Sequence, residues 1–326
     1  MVIFLRKFIF LRFYVHEVNT VSKYEIIWFK GKVIPSKDAM VNVMSPTSQF
    51  GLNVFEGIRG YWNEQQQQLY IFRLDDHLDR LFESCKLLSL DPVYSKDDIK
   101  SYINDLLIEA DFTADIAIRL TLFVDGDGSW NSLDAPDLFI SPMIKLRKDI
   151  SQLTGSSACI SSWQRISDVS MPPRAKAGAN YIAGRYAHLE ANRANYDLPI
   201  YLNSAGKVAE GAGACIFMVR DNSLITPTLQ SSILESITRD TLIKLAEELG
   251  IEVFVREIDR TELLISDEVF LCGSATEITP ITSINSIPVK DGKPGAVTIR
   301  LLKKYQEILT NQDNSNLPVD WLTLVT

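Results

Sequence analysis

Between Phe55 and Leu88 the chain changes its apolar period twice, and this stretch constrains the fold more than any other. Phe55-Glu-Gly-Ile-Arg-Gly-Tyr61 and Gln68-Leu-Tyr-Ile-Phe72 read as strands joined by a polar turn at 63–67. From Leu74 onward the apolar residues Leu74, Leu78, Leu81, Phe82, Cys85 and Leu88 follow the i, i+4, i+7 spacing of one helix face. Asp75 and Asp76 fall in its first turn, where negative charge suits the helix dipole. Around this unit lie a hairpin (Glu25–Phe29, the Gly31 turn, Val33-Ile34), a helix over 95–111 and strands over 114–124 and 138–146. The first half is therefore expected to be α+β with antiparallel pairing.

A chain of 326 residues is long enough for two domains or one large α/β unit. The charged, Gly/Ser-containing segment at 146–156 is the expected connection. Beyond it come short strands at 158–162, 200–202, 215–219 and 268–272. Helices are predicted over 181–194 and 237–249; Leu242, Leu245, Ala246 and Leu249 share one face of the latter, and Gly250 stops it.

A net charge of −8 argues against general nucleic-acid binding, which needs a basic face. Four well-separated cysteines and three scattered histidines (His16, His77, His188) show no metal-ligand spacing, so no metal site is expected. The thiols are read as reduced, which suits a cytoplasmic protein. No apolar run is long enough to span a membrane as a helix. Met1 to Val15 is apolar, aromatic and basic. It is read as an extension outside the fold, with a targeting signal as the other reading.

Five segments could carry chemistry, and each is ambiguous alone. Lys176 stands among small residues in Arg174-Ala-Lys-Ala-Gly-Ala-Asn-Tyr181. Burial of such an amine would lower its pKa and make it a nucleophile; a surface loop lysine looks the same. Glu210, on a Gly-rich turn before the 215–219 strand, could reach a ring nitrogen or simply face water. Ser236-Ile-Thr238 opens a helix whose free N–H groups form an anion site, or is plain N-capping. Arg73 could grip a phosphate, or pair with Asp75 or Asp76. Gly273-Ser-Ala-Thr-Glu-Ile-Thr-Pro280 reads as a hydroxyl-rich turn that could receive an anion.

Taken in order, Phe55-Glu-Gly-Ile-Arg59, Ala175 to Tyr181, Glu210-Gly-Ala-Gly213, Ile237-Thr-Arg-Asp240 and Gly273 to Pro280 resemble the class IV (fold-type IV) pyridoxal-phosphate aminotransferases, most of all the branched-chain amino-acid aminotransferases. The resemblance starts near Tyr24. It implies an extension at 1–23, a small α+β domain at 24–150 and a larger cofactor-binding domain at 151–326 with a mixed, barrel-like β core. It also implies a homodimer.

By resemblance, Lys176 is the Schiff-base lysine, Glu210 the partner of the pyridine nitrogen and Tyr181 the hydrogen-bond partner of the ring 3′-oxygen. Arg73, Ile237, Thr238 and Ser274 would hold the phosphate. Ala275 and Thr276 would receive the substrate carboxylate. Phe55, Gly57 and Arg59 match pocket positions, and Arg119 an arginine for the side-chain carboxylate of glutamate. Phe50, Ala117, Ser236 and Thr276 depart from the branched-chain pattern, which touches the side-chain pocket and the phosphate helix rather than the catalytic centre. The implied reaction is ping-pong transfer from Leu, Ile or Val to 2-oxoglutarate. 4-Amino-4-deoxychorismate lyase, D-amino-acid aminotransferase and a non-enzymatic cofactor binder share the scaffold as alternatives.

Overall fold

The computed structural model describes residues 25–310 and 319–326; the expected extension at 1–23 lies outside the described residues. The first half runs β1 (Ile26–Phe29), β2 (Lys32–Pro35), α1 (Pro46–Phe50), β3 (Asn53–Asn63), β4 (Gln68–Phe72), α2 (Leu74–Leu87), α3 (Lys96–Ala110), β5 (Ile116–Phe123) and β6 (Asp137–Ile144). After a short 3-10 turn come β7 (Ser156–Gln164), α4 (Tyr181–Arg193), β8 (Leu198–Leu202), β9 (Val208–Gly211), β10 (Cys215–Arg220), β11 (Ser223–Thr226) and α5 (Ile237–Glu248). The chain continues through β12 (Val253–Val255), β13 (Glu268–Gly273), β14 (Glu277–Ile284), β15 (Ile287–Pro288), α6 (Ala296–Leu309) and β16 (Leu322–Leu324).

The first sheet is antiparallel throughout, in the order β16-β4-β3-β5-β6-β1-β2. Helix α2 covers it because Leu74, Leu78, Leu81 and Cys85 share a stripe that buries against Ile58, Ile71 and Ile118. Truncating one such leucine to alanine costs roughly 2–5 kcal/mol. The same helix carries three buried polar residues, His77, Arg80 and Ser84, spaced i, i+3, i+7. The next helix starts on a reciprocal capping box, in which Ser95 Oγ accepts from Asp98 N–H and Asp98 accepts from Ser95 N–H.

The second sheet is mixed, in the order β12-β11-β10-β13-β14-β7-β8-β9, with parallel pairs β11–β12, β14–β7 and β7–β8. Its path from β10 round to β9 nearly closes, because Gly211 and Ala214 form an antiparallel bridge between the two. The Gly211 N–H donates to the Ala214 carbonyl at 2.8 Å. A Cβ at Gly211 would meet Leu271 Cδ1 at 2.8 Å, so a larger residue there would push the Leu271 side chain aside. The expected α+β first half and barrel-like second core are what the structure has.

Two local expectations change. Glu210 lies within strand β9, not on a turn, because the strand runs through Gly211 and the bend begins only at Ala212. Glu277 to Pro280 open strand β14, paired with β13 from Gly273↔Glu277 to Phe270↔Pro280. The turn is thereby shortened to 274–276. The first sheet also takes its outer strand, β16, from residues 322–324, far beyond the 24–150 segment.

Candidate active site

The Lys176 loop lies between β7 and α4 and is clamped from the first half of the chain. Lys176 N–H donates to Ser84 Oγ of α2 at 3.0 Å, and the Lys176 carbonyl accepts from Phe55 N–H of β3 at 2.9 Å. Val54 and Ala177 form a bridge beside it. Ala175 and Ala177 are buried, so small side chains are what this close approach admits. Asn180 Nδ2 donates to the Pro172 and Ala175 carbonyls, both at 3.0 Å, which closes the loop on itself. The backbone of Lys176 is thus fixed while its amine extends into a cavity of about 190 Å³. There Nζ donates to Tyr181 Oη at 2.8 Å and lies 5.1 Å from the Phe55 ring centroid.

Glu210 lines the same cavity and is only 4% exposed. Its carboxylate is 2.6 Å from Arg165 Nε and accepts the Leu234 N–H at 3.1 Å. Burial pushes its carboxyl pKa up, and Arg165 and the Leu234 N–H only partly oppose that shift. A cationic ring nitrogen placed against this carboxylate would add a second positive partner beside Arg165.

Arg80 and Ser236 border another part of the cavity. Ser236 is the N-cap of α5, and its Oγ accepts from Arg239 N–H at 3.2 Å. Arg80 Nη1 donates to the Glu235 carbonyl at 2.8 Å, which brings its guanidinium to the start of α5. A cation and the positive end of a helix dipole side by side form an anion site. Arg80 is held from behind by Glu56, which accepts from Nε and Nη2 at 2.7 Å each; His77 Nδ1 is 2.7 Å from the same carboxylate. Burial alone would raise the Glu56 pKa, but Arg80 and His77 outweigh it and hold the carboxyl well below the usual range.

Of the residues expected at the site, Phe55, Gly57, Arg119, Lys176, Tyr181, Glu210, Ser274 and Ala275 line one cavity. Arg119 lies against Phe55, its guanidinium carbon 4.2 Å from the ring centroid. Arg73 is not in that lining. Its guanidinium pairs with Asp76 at 2.8 Å and Asp240 at 2.6 Å and donates to Thr241 Oγ1 and the Ile237 carbonyl. The Asp76 pairing is one of the alternatives open from sequence. Arg59 is also outside it: Nη2 donates to the Lys145 carbonyl at 2.7 Å and lies 3.4 Å from the buried Glu277 carboxylate. Ile237 and Thr238 are buried in the first turn of α5 just past Ser236, and Thr276 follows Ala275 in the short turn before β14.

Sequence reasoning missed Arg80 and Arg165. The polar i, i+3, i+7 series on an apolar helix face was a usable sign for Arg80. Arg165, just past β7, left no periodic sign. A second cavity, of about 440 Å³, shares Phe55, Arg119 and Tyr181 with the first and adds Val41, Phe123 and Phe139.

Residues 53–284 match the family model described as amino-transferase class IV. The branched-chain-amino-acid aminotransferase of Escherichia coli (strain K12) is 36% identical over 298 residues, covering 90% of this chain and 96% of that one. The branched-chain amino acid aminotransferase of Thermobaculum terrenum, solved in its PLP form, is 40% identical with a TM-score of 0.87, covering 93% of this chain and 98% of that one. The T.th. branched-chain amino acid aminotransferase, complexed with N-(5'-phosphopyridoxyl)-L-glutamate, is 31% identical with a TM-score of 0.86, covering 93% and 99%. The same enzyme was also solved with 4-methylvaleric acid. A family model spanning most of the chain, and relatives this similar over nine-tenths of it, show that the chain belongs to the class IV aminotransferases and is a pyridoxal-phosphate-dependent transaminase.

Proposed function

We propose that this enzyme moves the amino group of an L-amino acid with a branched aliphatic side chain (Leu, Ile or Val) to 2-oxoglutarate, in two half-reactions at one site. The observation that carries the reading is that Lys176 and Glu210, from separate elements of the cofactor-binding half, border a single cavity. The residues present fit the cofactor: an amine on a fixed loop, a buried carboxylate in the cavity wall, and a guanidinium beside a helix start. Bound pyridoxal phosphate supplies an aldehyde that condenses with amines and a protonated ring that withdraws electrons from the substrate Cα.

Lys176 Nζ would hold the cofactor covalently and, as a free amine, would carry the proton to and from the substrate Cα. Tyr181 Oη orients that amine. Glu210 would hold the proton on the ring nitrogen, which would be the electrostatic part of catalysis. For the phosphate we propose Arg80 in place of Arg73, with the backbone N–H groups of Ile237 and Thr238 and the Ser274 hydroxyl. Ala275 and Thr276 offer backbone N–H groups to the substrate carboxylate.

One pocket must then accept an aliphatic chain and a carboxylate in turn. The junction of the two cavities suits both: Phe55 and the neighbouring apolar walls for the chain, Arg119 for the carboxylate. That the T.th. relative takes both a glutamate adduct and 4-methylvaleric acid supports the dual demand. A transamination screen of L- and D-amino acids with 2-oxoglutarate, with aminodeoxychorismate as a separate arm, tests the reading. L-leucine, L-isoleucine and L-valine are the expected donors. Preference for D-alanine, or pyruvate release from aminodeoxychorismate, would replace it with one of the alternatives, and inactivity in every arm would favour a binding protein.

The division near residue 150 is likewise proposed, supported by the two separate sheets. A homodimer is supported by exposed apolar side chains in the first half of the chain, among them Val43, Met44, Phe50 and Trp130. A cytoplasmic setting is supported by the four free cysteines. Among the described residues no helix is long and apolar enough to cross a membrane.

A further inference from the structure

We propose that Glu56 is a positioning residue for the cofactor phosphate: its buried carboxylate aims the two unspent N–H groups of Arg80 into the cavity. This rests on the reading of Arg80 as the phosphate arginine. Glu56 sits in β3 between two residues of the cavity wall, Phe55 and Gly57, yet is itself fully buried and points the other way, into α2. There it receives Arg80 Nε and Nη2 in a fork, both at 2.7 Å, and faces His77 Nδ1 at 2.7 Å.

A guanidinium has five N–H groups. Among the described residues, two of Arg80's go to Glu56 and one to the Glu235 carbonyl. One is left on each terminal nitrogen, and Arg80 borders the cavity. A bidentate fork fixes both the plane and the rotation of the guanidinium, which a single contact cannot do. The strand that presents Phe55 to the cavity therefore also sets the direction of Arg80 across the sheet–helix interface.

The charge of Glu56 makes the idea sharp. Deleting a negative charge close to a phosphate would, by simple electrostatics, tighten phosphate binding. Loss of aim would weaken it. The two effects have opposite signs, so the direction of change decides between them.

The experiment measures binding of pyridoxal phosphate and of pyridoxal, which lacks the phosphate, to apoprotein by fluorescence titration. Wild type, Arg80→Gln, Glu56→Gln and Glu56→Asp are compared. The expected result is that Glu56→Gln weakens pyridoxal phosphate about tenfold or more while pyridoxal stays within about twofold. Glu56→Asp keeps the charge but shortens the reach, and is expected to lose less of the same ratio. If Glu56→Gln does not fold, Glu56→Asp alone decides: an unchanged ratio overturns the proposal. So does tighter pyridoxal phosphate binding, or equal weakening of both ligands, which is what general damage to the fold would give. If Arg80→Gln itself shows no phosphate-dependent loss, then the assignment of Arg80 fails rather than the role of Glu56 alone.

Discussion

Lys176 Nζ donates a 2.8 Å hydrogen bond to Tyr181 Oη, five residues away across the bend that starts α4. The contact sets where the amine waits, because the Lys176 backbone is already held at both N–H and carbonyl. Lys176→Ala is expected to leave the fold intact and lower turnover by at least about 10³-fold, the scale of losing a nucleophile and a general base together. Steady-state transamination assays with circular dichroism on the same sample check this. Substantial remaining turnover would remove Lys176 from the mechanism.

Tyr181→Phe deletes one hydrogen bond and little volume. A bond to a charged group contributes about 1.5–3 kcal/mol, so turnover is expected to fall by roughly 10- to 100-fold with stability nearly unchanged. Turnover equal to wild type would leave the tyrosine as packing only.

Glu210→Gln keeps the shape of the side chain and removes its charge. Turnover is expected to drop by at least about 10²-fold, while cofactor affinity changes far less. Arg165, 2.6 Å away, would then lack its partner in a buried site, so a loss of about 1–3 kcal/mol in apoprotein stability is expected as well. Denaturant melts and kinetics on one preparation separate the two effects.

Arg119 lies over Phe55 at the junction of the two cavities. Arg119→Leu is expected to raise KM for 2-oxoglutarate by roughly 10- to 100-fold and to leave KM for leucine within a few-fold. Equal effects on both substrates would contradict a carboxylate-specific role.

Glu56 gives stability a defined pH dependence. Its folded carboxyl is held below its ordinary pKa, so in mild acid the unfolded chain binds more protons than the folded one. The stabilisation is complete above the ordinary carboxylate pKa of about 4.3 and is lost as pH falls below it. Chemical denaturation of apoprotein from about pH 6 down to about pH 3 should show a decline, beginning near the ordinary carboxylate pKa, that Glu56→Gln flattens. An identical slope in the variant would show that other groups dominate.

The sequence carried the parts of this structure whose cause is local. The α2 stripe from Leu74 to Cys85, the Ser95 start of α3 and the Gly250 stop of α5 were all legible from spacing and capping chemistry. The β14 start was not, because its hydroxyl-rich residues look like a turn until β13 pairs with them. Helix α6 has a legible buried face, Leu301, Leu302, Tyr305 and Ile308, but no side-chain cap at its Gly295 start to mark where it begins. Arg73 and Arg80 are chemically identical, and only the packing around α2 decides which one finds Asp76 and Asp240 and which borders the cavity. Arg165 reaches Glu210 from beyond a different strand, a distance no linear pattern encodes.

Strand β16 has a consequence for biosynthesis. It pairs with β4 through Leu322↔Phe72 to Leu324↔Tyr70, and the Trp321 carbonyl accepts from the Arg73 N–H while its ring meets that of Phe72. The neighbour of β4 on that side is therefore translated about 250 residues later. Throughout that interval the nascent polypeptide exposes an unsatisfied ladder edge next to Phe72, a template for pairing with other chains. Closure of that edge therefore waits on the last strand of the first sheet to be made.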